Sequence, residues 1–185
     1  MSAQIVPTEM FFTRGVGVHK HNLQSFEMAL RKAGIAPFNL VSVSSICPPN
    51  CKIISRAKGI SKLKHGGIVH CVLAECRNNE PYRLASAGIG LALPSNENDF
   101  GYISEYHGYG MPERKCADHV EDMAASMLAT TYGVDLDPET AYDKRREIYK
   151  AKKLIVRTRA TVQTAAGHKE GLWTTVVAAA VFVYD

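Results

Sequence analysis

The sequence predicts an α/β (α+β) sandwich in which mainly antiparallel strands are covered by helices. Two observations carry that prediction. Apolar, β-branched runs follow one another along most of the 185 residues, and only two stretches show the 3–4 spacing of an amphipathic helix. A chain of this length makes one compact domain with a sizeable core, so residues 1–185 read as a single unit. No internal repeat or low-complexity tract interrupts it.

The elements follow in order. Met10 to His19 reads as a strand. Asn22 then caps a helix that runs to Ala33, with Gly34 placed to end it. Leu23, Phe26, Leu30 and Ala33 form the apolar stripe expected of that helix. Phe38 to Ser44 is a strand, with Val and Ser alternating from Val41 at the period of a half-buried ladder. From Pro48 to Gly67 the chain reads as a basic loop with one apolar patch, Ile53-Ile54. Ile68 to Glu75, Tyr82 to Leu93 and Gly101 to Tyr106 are consecutive strands. Pro112 opens the second helix and Gly133 closes it, with Cys116, Val120, Met123, Met127 and Leu128 as its buried face. Leu154 to Thr164 and Leu172 to Tyr184 are the last strands, joined by a turn over residues 165–171.

Composition narrows the function classes. Met1 to Pro7 lacks a basic segment followed by a long apolar run, so no signal peptide is expected. No apolar stretch reaches membrane-spanning length, which excludes a membrane partner from the reading. Five scattered cysteines, an odd number, point to a reducing compartment and to the cytoplasm. The net charge of +4 is modest and dispersed. Its densest cluster, from Lys144 to Lys153, alternates with acids and aromatics as an exposed helix would, so nucleic acid is not an expected partner.

The stretch with chemistry in it is Val41-Ser42-Val43-Ser44-Ser45-Ile46-Cys47-Pro48-Pro49. Two prolines cannot continue a ladder, so Ser44-Ser45 falls at or just past a strand's end, where backbone strain is tolerated. The Ser45 hydroxyl can attack the Ser44 carbonyl and turn the amide into an ester. β-Elimination then breaks the chain and leaves dehydroalanine at position 45, which hydrolyses to a pyruvoyl group. The plain alternative is a common dipeptide at a strand end.

The run Asn39 to Pro49 resembles the self-cleavage segment of the pyruvoyl-dependent arginine decarboxylases, with its Ser-Ser-Ile-x-Pro-Pro core. Two further pieces occur in that family's order. Upstream are Phe26-Glu27-Met28-Ala29-Leu30 and Ala33-Gly34-Ile35; downstream is Gly101-Tyr102-Ile103-Ser104-Glu105-Tyr106-His107-Gly108, similar to its Glu-Tyr-x-Gly element. The resemblance covers nearly the whole chain and is weakest from about Gly133 to Lys153.

The resemblance implies a layered αββα sandwich that assembles as a trimer or a pair of trimers. It implies cleavage into residues 1–44 and 45–185, with pyruvate derived from Ser45 as the covalent cofactor. The reaction implied is L-arginine to agmatine plus carbon dioxide, through a Schiff base that accepts the electrons left on Cα. Glu105 is the implied proton donor, and partial burial beside Tyr106 would favour its neutral acid; a surface strand glutamate is the alternative. Asn39 matches a residue tied to processing, and its amide could donate to the oxyanion formed on Ser44, or simply mark a turn. Glu27 stands where the family commonly has an Asp that meets the guanidinium. It is either that substrate acid, reaching from a longer side chain, or a snorkelling residue beside the helix's stripe. The same chemistry on another amino acid, and an uncleaved binding or structural relative, remain open.

The other motifs carry less. Cys47 and Cys51 lack a second ligand pair, and none of the histidines forms H-E-x-x-H, so no metal is expected. Gly15-Val16-Gly17 and Gly88-Ile89-Gly90 have no following helix start of the dinucleotide kind; the latter pair marks a bulge or a close backbone approach.

Overall fold

The computed structural model describes residues 5–134 and 157–184. Among these the order is β1 (Glu9–His19), α1 (Asn22–Ala33), β2 (Asn39–Ser42), β3 (Ile46–Cys47), β4 (Lys52–Ile53), α2 (Arg56–Lys62), β5 (Ile68–Asn78), β6 (Leu84–Leu93), β7 (Gly101–Tyr109), α3 (Glu113–Thr131), β8 (Arg157–Ala166) and β9 (Trp173–Val183). The expected helix across Lys144 to Lys153, and the start of the strand at Leu154, lie outside the described residues.

Two sheets stack face to face. The first has the order β2-β5-β9-β1-β4 and the second β3-β7-β6-β8. Their long pairings, β1 with β9, β5 with β9, β6 with β7 and β6 with β8, are all antiparallel. The parallel pairings, β1 with β4 and β2 with β5, span two and four residues. Alternate residues of both sheets fill the space between them, among them Met10, Phe12, Ile89, Leu91, Ile103 and Phe182. α1 closes the far side of the first sheet over Phe11, Val177 and Val181, and α3 packs on β6, β7 and β8 of the second. The result is the layered αββα sandwich.

Glycines set how closely the helices approach. A Cβ on Gly15 or Gly17 of β1 would overlap backbone atoms of Ala29 and Ser25 in α1. The helix therefore presents small residues, and Ser25, Ala29 and Ala33 form its buried face. This corrects the expected stripe: Leu23 is 73% exposed. Asn22 is also not the cap. Its side-chain oxygen accepts from Arg77 Nη1 at 2.9 Å, and the extended residue before the helix is His21. Gly34, with φ +78°, ends the helix as expected.

α3 repeats the arrangement. Gly90 of β6 faces the Val120 carbonyl so closely that Cys116, Val120, Ala124, Ala125, Leu128 and Ala129 make the contact. Met123 is exposed and Met127 half-buried, contrary to expectation. Gly90→Ala drives a Cβ into the Val120 carbonyl and to 2.6 Å from Ser104 Oγ. It should cost about 1–3 kcal/mol, read as a lower urea midpoint at unchanged m-value.

Two further expectations change. The segment between Pro48 and Gly67 is not a loop, because it carries β4 and α2. Ser55 caps α2 by accepting from the Lys58 N–H at 3.3 Å, and Gly59 sits against the Phe11 ring, where a Cβ would collide. The strand at 38–44 is shorter, Asn39–Ser42, and it is an exposed edge rather than a half-buried ladder.

Candidate active site at the crossover between the sheets

β2 belongs to the first sheet and β3 to the second, so Val43-Ser44-Ser45 carries the chain from one to the other. Both ends of the crossing are tied. The Val43 N–H donates to the Cys71 carbonyl at 3.0 Å, and the Ser45 carbonyl accepts from the Ile103 N–H at 2.7 Å. Two peptide bonds, Val43–Ser44 and Ser44–Ser45, link these two anchors. Ser44 is exposed and Ser45 half-buried. A break at the Ser44–Ser45 bond would leave β2 in the first sheet and β3 in the second.

The register then places Glu105. Ile46 pairs with Tyr102 and Cys47 with Gly101, so Ser45 lies opposite Ile103. Glu105 is two residues farther along β7, about 7 Å, on the same strand face as Ile103. It pairs with Ile89, and both Ile89 and Ile103 point between the sheets. His107 shares that face by alternation. Glu105 is nevertheless exposed, which corrects the expected partial burial. The reason is that β3 covers β7 only at Gly101 and Tyr102, so the edge beyond is open.

Asn39 holds the start of β2. Its amide donates to the Gly66 carbonyl at 2.7 Å, and its N–H donates to the Gly67 carbonyl at 2.9 Å. Extended β2 separates it from Ser42 by about 10 Å, so the amide is not brought to the Ser44 carbonyl within one chain. Glu27 lies on α1, on the outer side of the first sheet, and its carboxylate is ion-paired with Arg31. The structure thus sets Ser44 and Ser45 beside β7, the strand that carries Glu105, and leaves Glu27 on the outer layer.

Thiols flank the site. Cys47 is buried, and a hydrogen bond to Cys51 joins with desolvation to push its thiol up. The same hydrogen bond lowers the Cys51 thiol. Cys71, whose carbonyl anchors Val43, is pushed up to about 11 by burial. The anchoring groups at Cys71 and Ile103 were missed in the sequence. They are backbone atoms on strands 26 and 58 residues beyond Ser45, with no side-chain signal.

A cavity of about 840 Å³ is lined by Pro48, Asn50 and Cys51 among others, and by neither Ser45 nor Glu105. Glu9 lines it; Lys62 at 2.5 Å, joined by Lys58 at 3.2 Å, outweighs burial and holds its carboxyl below the ordinary value.

A two-sheet sandwich whose crossover is a bare Ser-Ser peptide, with a glutamate beside it, defines a class of enzyme that makes a carbonyl cofactor from its own backbone. Residues 9–185 match the family described as pyruvoyl-dependent arginine decarboxylase (PvlArgDC). The chain is 54% identical over 179 residues to pyruvoyl-dependent arginine decarboxylase 2 of Methanosarcina acetivorans, covering 97% of this chain and 98% of that one. It is 53% identical to the protein of the same name from Methanosarcina mazei, with the same coverage. Identity to the pyruvoyl-dependent arginine decarboxylase of Methanococcoides burtonii is 50%, over 97% of this chain and 99% of that one. The chain belongs to the pyruvoyl-dependent arginine decarboxylase family. Membership makes it a carboxy-lyase with a covalently held pyruvoyl group. No helix among the described residues is long and apolar enough to cross a membrane.

Proposed function

We propose that this chain cuts itself between Ser44 and Ser45 and then converts L-arginine to agmatine and carbon dioxide. The observation that supports the reading best is the crossover itself, in which the Ser44–Ser45 bond lies within a three-residue span tied at one end to each sheet. Ser45 Oγ attacks the Ser44 carbonyl carbon, and the acyl group moves from nitrogen to oxygen. Loss of the Cα proton and cleavage of the Cβ–O bond release residues 1–44 with a carboxylate end. Water then replaces the nitrogen left at position 45, and ammonia departs. The pyruvoyl group so formed supplies the electron sink for decarboxylation.

The remaining work falls to the chain's own side chains. Glu105, beside the new end of the chain, returns a proton to the substrate's Cα. Asn39 serves processing by fixing the start of β2 through Gly66, and with it the position of the serines. Glu27 meets the guanidinium, contributed to the cleft by a neighbouring copy, since in its own chain it lies on the outer layer. Val41, Val43 and Ile46 are 41%, 38% and 41% exposed around the serines, apolar side chains suited to contact with a second copy. Assembly as a trimer or hexamer through this contact supplies the burial of Glu105 that one chain lacks. The cysteines Cys47, Cys51, Cys71, Cys76 and Cys116 are all free thiols, in keeping with the cytoplasm.

Intact mass under denaturing conditions tests the reading. Two species are expected, residues 1–44 and residues 45–185, the larger blocked at its N-terminus by a pyruvoyl group. Under native conditions they should migrate together, because β1 pairs with β9 over eleven residues. A single full-length mass that persists on long incubation would overturn cleavage. Turnover measured across arginine, lysine, ornithine, histidine and aspartate tests the substrate, and inactivity on arginine would sink that assignment.

A further inference from the structure

The sandwich has a second open edge, opposite the serines, where β1 of the first sheet faces β8 of the second. β1 pairs with β4 only at Glu9 and Met10, so from Phe11 onward this side of it carries no strand among the described residues. A cavity of about 440 Å³ opens there, lined by Arg14, Lys32, Arg56 and Arg159 together with Thr161 and Gln163. Among the described residues no aspartate or glutamate lines it.

The four cations are not equivalent. Arg14 is held by Glu113 at 2.7 Å and donates to the Val162 carbonyl at 2.6 Å. Arg56 donates to the Ala33 and Lys32 carbonyls at 3.0 and 2.9 Å, closing the C-terminal turn of α1. These bonds fix two guanidinium groups in place. Arg159 stacks on Phe12, 5.0 Å from the ring centroid. Neither Arg159 nor Lys32 has a carboxylate partner among the described residues. A concave site with an excess of one sign of charge concentrates counter-ions. The guanidinium fork matches the oxygens of phosphate, and the Thr161 hydroxyl and Gln163 amide add neutral donors.

We propose that this seam binds a small, multiply charged oxyanion of the phosphate class. A monocarboxylate would leave the excess charge largely unbalanced. Single-stranded nucleic acid would want aromatic faces to stack on, and Phe12 is buried under Arg159. The site lies across the sandwich from Ser45 and Glu105 and does not depend on the decarboxylase reading.

Calorimetric titration of the full-length protein with inorganic phosphate, and separately with adenosine monophosphate, tests this, with chloride at matched ionic strength as control. Phosphate and the monoester should both bind saturably where chloride does not; tighter binding of the monoester would identify an organic phosphate as the occupant. Lys32→Gln with Arg159→Gln should weaken binding at least about tenfold, from the loss of two charge-assisted contacts. Arg159→Lys, which keeps the charge and loses the fork, should fall between. Self-cleavage and decarboxylation measured without phosphate should be unchanged in both variants. Equal binding to the double variant, or a response to chloride as large as to phosphate, would remove the site. So would a change in oligomeric state of the double variant without a change in phosphate binding, which would make the seam an interface between copies.

Discussion

Ser45→Ala should leave the chain in one piece of 185 residues and bring decarboxylation below detection. The substitution removes one oxygen, and that oxygen is both the nucleophile of cleavage and the group lost on the way to the pyruvoyl carbonyl. Nothing else in the cleft replaces it. The fold is not at risk, because the Ser45 contact that anchors the crossover is its backbone carbonyl, held by the Ile103 N–H at 2.7 Å, and alanine keeps that carbonyl. The variant should therefore give a single full-length mass, an unchanged circular dichroism spectrum and an unchanged oligomeric state. Cleavage in Ser45→Ala would overturn the proposed route to the cofactor outright.

Glu105→Gln should separate processing from turnover. Cleavage uses the Ser45 hydroxyl and the Ser44 carbonyl, whereas Glu105 stands two residues beyond the anchor on β7, opposite Ile89. The amide fills the carboxyl's space but has no acidic proton for Cα. The variant should cleave to the wild-type pair of masses, while kcat falls about 10²–10⁴-fold, the range for losing a positioned general acid. KM should change far less, since proton return follows binding. Near-normal kcat in a cleaved Glu105→Gln protein would assign proton return to another group, and His107, on the same strand face, would be examined next.

The serine pair was legible only in context. Adjacent serines before two prolines also read as a common dipeptide at a strand end, and it was the ordered resemblance of the segments around Phe26 to Ile35 and Gly101 to Gly108 that gave the pair its chemical reading. The long strands were legible too. β1, β5, β6, β7 and β9 are buried on one or both faces, and burial writes apolar residues into a strand directly. Edge and contact details were not. Val41 and Val43 look like a ladder's buried face, yet they are exposed because β2 is an edge of four residues. Leu23 and Met123 look like helix cores, yet the glycines of β1 draw α1 close enough that Ser25, Ala29 and Ala33 face the sheet, and Gly90 sets α3 so that Val120, Ala124 and Leu128 do. α2 was hidden because Gly59 argues against a helix, while the Phe11 ring it packs on admits no Cβ there.

By itself the sequence determined the fold class, and its resemblance to the family pointed to the serine pair and to the glutamate that stands among strand residues downstream. Those are matters of residue type, period and order. Only the tertiary structure decided that the two strands flanking the serines enter different sheets, and that Glu105 stands two residues along β7 from Ile103, the residue bonded to Ser45. It also decided that Glu27 lies behind the first sheet, and that four basic side chains far apart in the chain share one seam. The physical reason is common to all of these. Alternation tells a strand which face to bury, but which strand becomes its neighbour depends on partners tens of residues away.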